Sequence, residues 1–529
     1  MSERKQRLTF TLKELQERKL EELKGRPLDV VIVGSGPASI AVADFLYTEY
    51  PDADFTITIL ERGNILTTTH ISNTEVNDPL RPQGRSFSTR GKFIQAHETY
   101  PWKGHFEKHG MLVFALGGRS IVAGALLRRF DSVDFDCAWN PQGKWPINHS
   151  DLDTYYTRAE VVRGVVSGEW DGPAQVWVLG KLRTSFNAVT TPWGAEARRS
   201  NPFANRVYES PVSRLWSLVL EDHEHASTDS SYKRRIFVTL DAYGIRLEKD
   251  TSNGTQNNRI ARIVCRDARD PANTEEIKLE PKVVVLAAST IESARLVLNS
   301  KITKNENVGC YLGDHIYSRW QVSVPTPFNN LHDEGANVLI LPNRDHSVYR
   351  YQIDVRGRMD PANIRNLSLG ITGSVAMEPE ESNKVIVGDD TDEWGVPVAV
   401  VHLDHKGNRL TQSGNHITQS RIANVGHDMK EIEKLLDGKH VTGETLNGEK
   451  GRSHHEAGTL RMGEADKTSV TNKSGQFHDI DNLYVADASV FPFVGVANPM
   501  LTITAWGYRV ACSLANHHFG ERPPSGYPI

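Results

Sequence analysis

The chain has 529 residues, 38% of them hydrophobic and 24% charged, a length that exceeds one simple core and points to two domains. A net charge of −5 leaves no basic surplus to hold a phosphate backbone, which excludes nucleic acid as an expected partner. No apolar run approaches the ~18 residues of a membrane span and Cys137, Cys265, Cys310 and Cys512 stand far apart without metal-binding spacing, so a cytoplasmic protein with no membrane contact and no metal is expected.

Residues 8–24 place Leu12, Leu15, Leu20 and Leu23 among many Lys and Glu, predicting an amphipathic helix, either docked on its own domain or reaching a neighbouring subunit. LDVVIVGSGPASIAVADFL then reads as an apolar strand, a Gly-rich turn and a small-residue helix, and ADFTITIL, from Ala53 to Leu60, as a second strand. This is a βαβ opening. Residues 136–235, rich in Trp, Pro, Asn and Arg with weak periodicity, read as an irregular insertion. Strands return at RRIFVTL, RIARIVCRD and KVVVLAAS, with TSNGTQNN as a hairpin tip or mobile loop between the first two. From about Ile316 to Lys450 the stretches YRYQIDVRG, NKVIVGDD and PVAVVHLDH alternate as the strands of an antiparallel sheet do. The expected fold class is α/β. A Rossmann-like dinucleotide domain formed by 28–135, 236–315 and 451–515 is interleaved with a substrate domain of 136–235 and 316–450, after an N-terminal arm of 1–27. The oligomeric state is left open.

Three islands carry chemistry. Gly34-Ser35-Gly36-Pro37-Ala38-Ser39 follows a strand and opens a helix, where two glycines let backbone N–H groups approach a pyrophosphate, although Ser39 replaces the third fingerprint glycine. Glu61 lies 61 − 34 = 27 residues on, at the end of the second strand and before Arg62 and Gly63, where a carboxylate binds both ribose hydroxyls. In HHEAGTLRMG, His454–Gly463, a zinc helix fails because Thr459 occupies the second His position of HExxH. His455 is instead a candidate base for alcohol oxidation, weighed against a hydrogen-bonded core histidine. HFEKHG, His105–Gly110, reads as a polar turn. Last, NLYVADASVFPFVGVANPMLTITAWGYRVA supplies Asn498, read either as a partner of His455 or as a helix N-cap with Pro499 in the first helical position.

VVIVGSGPAS, LGGRSIVAG, VGCYLGDH, VVVLAASTIESARLVL, HHEAGTLRMG and NLYVADASVFPFVGVANPMLTITA occur in the order seen in the glucose–methanol–choline (GMC) oxidoreductases, and the chain resembles that family in patches across 28–512. Within it, the His and Asn pair and ANP look most like pyranose oxidases and bacterial glycoside 3-oxidases, including C-glycoside oxidases; many relatives carry His in place of Asn. The resemblance implies an FAD-dependent oxidation of a secondary hydroxyl, at C2 or C3, of a pyranose sugar or glycoside, with O2 as the expected acceptor and H2O2 as product. An enzyme passing electrons to another acceptor and an FAD-dependent hydroxynitrile lyase are the alternatives. It also implies His455 as the base, Asn498 as the holder of the substrate hydroxyl, and cofactor contacts from Gly34, Ser35, Gly36, Pro37, Ala38, Glu61, Arg62, Gly117, Gly118, Ser120, Ala288, Asp487, Ala488, Asn498, Pro499 and Met500. Asp487 has a plainer reading as a turn or cap acid. The fungal pyranose oxidases carry a Thr-His-Trp after the GG-x-S turn whose His bonds the flavin, whereas Gly117-Gly118-Arg119-Ser120 is followed here by Ile121-Val122-Ala123. Val122 has no nucleophile, so the FAD is expected to be non-covalent.

Overall fold

The computed structural model describes residues 19–66, 98–99, 101–108, 110–123, 126–167, 172–196, 207–208, 210–250, 258–328, 335–342, 347–360, 363–406, 410–444 and 450–529. In chain order, the elements that position the site begin with Leu28–Val33 (β1), Pro37–Glu49 (α1), Ile57–Leu60 (β2), Asn187–Thr190 (β3), Ile236–Thr239 (β4), Pro281–Leu286 (β5) and Thr290–Ser300 (α2). They continue with His315–Pro325 (β6), Gly335–Leu341 (β7), Tyr351–Asp360 (β8), Asn363–Ala376 (β9), Ile417–Leu435 (α3), Lys439–Glu444 (β10), Leu483–Val485 (β11) and Met500–Phe519 (α4).

The first sheet has strand order β4-β2-β1-β5-β11, and all its pairings are parallel. Its central strands are apolar on both faces because both are covered, one of them by the antiparallel strands Ala242–Lys249 and Ile260–Asp267; Val30, Val31, Ile32, Val283, Val284 and Val285 are fully buried. Small residues let α1 enter this core: Ala38, Ser39, Ala41 and Ala43 are buried, and α4 packs against it. Glu61 follows β2 as the sequence led us to expect.

The second sheet has order β10-β6-β9-β8-β7-β3 and is antiparallel. Alternation gives it two unlike faces. Val322, Val338, Ile353, Val355, Leu369, Ile371 and Val375 form one core with Val425, Met429 and Ile432 of α3. On the opposite face Tyr317 of β6, Ser374 of β9 and Gln352 of β8 stand in one cross-strand row.

Several expectations need correction. NKVIVGDD and PVAVVHLDH do not join this sheet: Lys384–Thr391 and Pro397–His402 form a hairpin that pairs with Lys103–Gly104 in a sheet of three. RIARIVCRD, read from the sequence as a strand without a sheet, lies in an antiparallel sheet made by Ala242–Lys249, Ile260–Asp267 and Ile277–Leu279. The insertion is more regular than its weak periodicity predicts, with helices at Asp153–Val162, Pro173–Arg183 and Pro211–Thr228, and it lends β3 to the edge of the second sheet. Of the N-terminal helix, residues 8–18 lie outside the described residues; Leu20–Leu23 is a single 3-10 turn whose leucines are buried in this chain's own core. Most of TSNGTQNN lies outside them too. Among the described residues, no helix is long and apolar enough to cross a membrane.

Candidate active site

One cavity of about 720 Å³ runs from the β1–α1 turn to His455 and Asn498. At its first end Gly34 sits at φ +98°, and a Cβ there would fall 2.5 Å from the Ala287 carbonyl oxygen, so only glycine fits the turn. Gly36 is the opposite case. Its Cβ position meets no protein atom within 4 Å, so the turn is open on the cavity side, above the first N–H groups of α1, which have no partner inside the helix.

Glu61 is 6% exposed and accepts from the Ser35 hydroxyl and, at 2.7 Å, from the Gly63 N–H. Burial pushes its carboxyl up to about 7 against the pull of those donors and of Arg62. The Arg62 guanidinium lies 3.8 Å from the Tyr243 ring centre, 4.1 Å from that of Phe114 and 4.5 Å from that of Trp394, and pairs with Asp392 at 3.4 Å. This cation is therefore held in an aromatic cage.

At the other end the hydrogen bonds run in one direction, set by a carbonyl. The oxygen of Gly495 only accepts, so His315 Nε2, 3.0 Å away, carries a proton. Burial holds His315 down to about 4, so its ring is neutral and Nδ1 is bare. His455 Nδ1, 2.8 Å from it, must donate. That leaves His455 Nε2 as an acceptor, which receives Asn498 Nδ2 at 3.0 Å. Asn498 Oδ1 in turn accepts from Gln352 Nε2 at 2.9 Å. The Tyr317 hydroxyl lies 3.1 Å from His455 Nδ1 and 3.4 Å from Nε2. Burial first, and after it the neighbouring His315, His454 and Arg119, hold the His455 pKa well below the ordinary value, so it is neutral at pH 7 with a lone pair on Nε2.

Carboxylates brace the loop that carries His455. Asp314 accepts from the Ser453 hydroxyl and from the backbone N–H groups of His315 at 2.9 Å and His455 at 3.3 Å; burial, then Glu456, raises it to about 7. Glu456 takes Arg119 bidentately at 3.0 and 2.7 Å. Burial pushes Glu456 up, and the Arg119 charge and bonds outweigh it and leave it below its usual range. Both oxygens of Glu456 are thus engaged with a guanidinium.

Of the residues singled out from sequence, Gly34, Ser35, Gly36, Pro37, Ala38, Glu61, Arg62, Gly118, Ser120, Ala288, His455, Asp487, Ala488, Asn498, Pro499 and Met500 all line this cavity. Gly117 does not; its N–H donates to Ser35 Oγ at 3.0 Å and ties the two loops together. The Asp487 carboxylate caps the turn Ala488–Val490 and accepts from Ser289, Ser293 and Ser489, which is its plainer reading. Asn498 is not an N-cap: α4 starts at Met500 with Pro499 in the cap position and no side-chain cap bond, so the Asn498 amide is left to His455. Sequence reasoning gave no role to His315, Tyr317 or Gln352. The only signal was the His that ends VGCYLGDH.

The cavity thus joins an open glycine turn on a parallel sheet to a neutral imidazole paired with an amide. The family model described as GMC oxidoreductase matches residues 379–507. The chain is 22% identical to 6'''-hydroxyparomomycin C oxidase of Streptomyces lividus over 94% of this chain and 93% of that one. It is 23% identical to C-glycoside 3-oxidase of Arthrobacter globiformis over 92% and 95%. The fold also matches the crystal structure of pyridoxine 4-oxidase from Mesorbium loti with a TM-score of 0.60 and 15% identity, covering 93% of this chain and 100% of that one. The chain is thus similar to the GMC oxidoreductases, which are FAD flavoproteins, through the family model over 379–507 and through these relatives along most of its length. The residues present fit that cofactor: the Gly36 cradle is open, Glu61 awaits a diol, and Ser289 Oγ is buried in the cavity wall without a partner.

Proposed function

We propose that the protein oxidises a secondary hydroxyl, at C2 or C3, of a pyranose or glycoside to the ketone and passes the electrons to O2, giving H2O2. The single observation that carries this reading is the meeting of a neutral His455, bare at Nε2, with the Asn498 amide in the wall of the cavity.

When bound, the flavin supplies the acceptor for the hydride leaving the carbinol carbon. His455 Nε2 takes the hydroxyl proton as general base. Asn498 Nδ2, which points at Nε2 in the absence of substrate, donates to the substrate oxygen instead and fixes it beside the base. Gln352 keeps that amide from flipping. His455 Nδ1–H stays on His315, so the proton is accepted on the cavity side only. Tyr317 gives the oxygen a second donor. The N-terminal end of α4, at Pro499 and Met500, favours negative charge at that wall. Segments 28–135, 236–315 and 451–515 would hold the cofactor, with Gly36, Glu61 and the α1 N-terminus at its phosphate and ribose end, and the polar face of the second sheet would hold the substrate.

The test is anaerobic mixing of the yellow protein with a panel of glycosides. Bleaching, H2O2 on readmission of air, and a keto-sugar by NMR are expected. A hydroxynitrile lyase would leave the flavin oxidised, and a dehydrogenase would bleach without giving peroxide.

A further inference from the structure

The second sheet turns a row of polar side chains toward the site, and of its Asp354–Arg356 pair the arginine lines the cavity. Starting from Tyr317, Ser374 and Gln352 beside His455 and Asn498, the same face continues along β8 through Asp354 to Arg356, which faces Gly370 of β9 and, beyond it, Gln321 of β6. Arg356 lies four residues from Gln352, a run of about 13 Å along a strand, and lines the cavity together with Arg452 from the loop that leads to His455. Asp354, with its side chain 6% exposed, holds Arg356 by Nε at 2.7 Å, while the Arg356 side chain remains 39% exposed. Glu456, the carboxylate lining this end among the described residues, is 1% exposed and closed onto Arg119. A ligand entering here therefore meets guanidinium groups and hydrogen-bond donors, with the acids buried behind them.

Building on the sugar-oxidation reading above, we infer that the substrate is a glycoside bearing an oxyanion, a carboxylate or a phosphate, on the part that lies beyond the oxidised ring, and that Arg356 and Arg452 bind it. The planar guanidinium fork matches either anion with two parallel hydrogen bonds. The ion pair with Asp354 fixes the orientation of Arg356 before binding, so little side-chain freedom is lost on contact. The neutral donors between, Gln352, Ser374 and Tyr317, suit the hydroxyls of the ring being oxidised.

The test uses the FAD-loaded enzyme with phenyl β-glucoside and its 4-carboxy, 4-phosphonooxy and 4-aminomethyl derivatives. We expect kcat/KM to favour one or both anionic forms over the neutral one by about tenfold or more, the gain expected of one charge-assisted contact, and to place the cationic form last. Whichever anion leads names the source. The preference should shrink with added salt and in Arg356→Gln and Arg452→Gln, with Arg356→Lys retaining part of it. Equal values for the anionic and neutral glycosides, or a preference for the cation, overturn the inference while leaving the sugar-oxidation reading intact. If none of the four reduces the flavin, that reading fails, and calorimetric titration with the 4-carboxy and 4-aminomethyl glycosides decides the anion site. Binding of the acid alone, lost in Arg452→Gln, supports it, and equal or absent binding of the two overturns it. Should Arg356→Gln not fold, the salt dependence and the Arg452 variant carry the same decision.

Discussion

The rings of His315 and His455 meet edge to face, Nδ1 to Nδ1 at 2.8 Å with an interplanar angle of 90°, and that contact holds one proton. Because the Gly495 carbonyl already claims the far side of His315, the proton belongs to His455, and the backbone decides which of its nitrogens is left bare.

Replacing His455 by Ala is expected to slow anaerobic flavin reduction by ~10²–10⁴-fold, the usual contribution of a positioned base, while the protein stays yellow. In the wild type, reduction rises with pH as His455 loses its proton. Its pKa lies well below 6.5, so the rate should be flat from about pH 6.5 upward and fall only in more acidic buffer. Stopped-flow reduction across that range checks both points, and an equal rate in the variant would assign the base elsewhere, with His454 examined first.

His315→Phe removes the acceptor of the His455 Nδ1–H and one cause of the low His455 pKa. We expect a loss of about ten- to a hundredfold in reduction rate, typical of removing the group that orients an imidazole. The acidic limb of the pH profile should also move up toward 6.5. A residue of purely structural value would lower the melting temperature without moving that limb.

Asn498→Ala should impair reduction far more than stability. Its side chain caps no helix, so the ~1 kcal/mol cost of a lost N-cap is not expected. Melting temperature measured beside the reduction rate separates the two roles, and a large stability loss with intact reduction would reverse the assignment.

Much of this was legible in the residues themselves. The βαβ opening and Glu61 rest on short motifs whose spacing is fixed by one turn or one strand end, and such spacing survives in a single sequence; the pairing of His455 with Asn498 came from the resemblance to the GMC family and not from spacing. His315, Tyr317 and Gln352 were not legible, because they reach His455 and Asn498 only through the register of an antiparallel sheet, and strand alternation names a face without naming its neighbours. The same ignorance of register put NKVIVGDD and PVAVVHLDH into the wrong sheet. Asn498 was open to a cap reading because Asn-Pro before an apolar run is an ordinary helix start, and a shift of one residue in the helix boundary decides it.

The glycine turn gives a paired test. Gly36→Leu projects into the open cradle and should yield folded, colourless protein, since nothing of the chain obstructs the new side chain. Gly34→Ala should instead damage the fold, with its Cβ driven onto the Ala287 carbonyl at a left-handed φ. Circular dichroism with the 450 nm absorbance distinguishes the two. A yellow, active Gly36→Leu protein would put the cofactor elsewhere.

Acid precipitation should free the flavin and leave a white pellet. Val122, which lines the cavity, has no nucleophile, and His105 accepts from the Leu403 N–H at 2.7 Å and is not among the lining residues. His97 and His109, the other upstream histidines, lie outside the described residues. A pellet that stays yellow, or a peptide heavier by the mass of the flavin, would show that one of them makes the bond.

The strand Leu483–Val485 completes the parallel sheet by pairing with Val284–Leu286, a partner made 483 − 286 = 197 residues earlier. During synthesis the edge of β5 therefore waits, apolar and unpaired, for most of the second half of the chain, a period in which it invites chaperones or misassociation. The same delay has a protective side. His455 and Asn498 emerge after the dinucleotide turn, the cage around Arg62 and the whole polar platform, so under the function proposed above a nascent or prematurely terminated chain lacks the base with which to begin the redox cycle, and oxidising power would be confined to chains translated past Asn498.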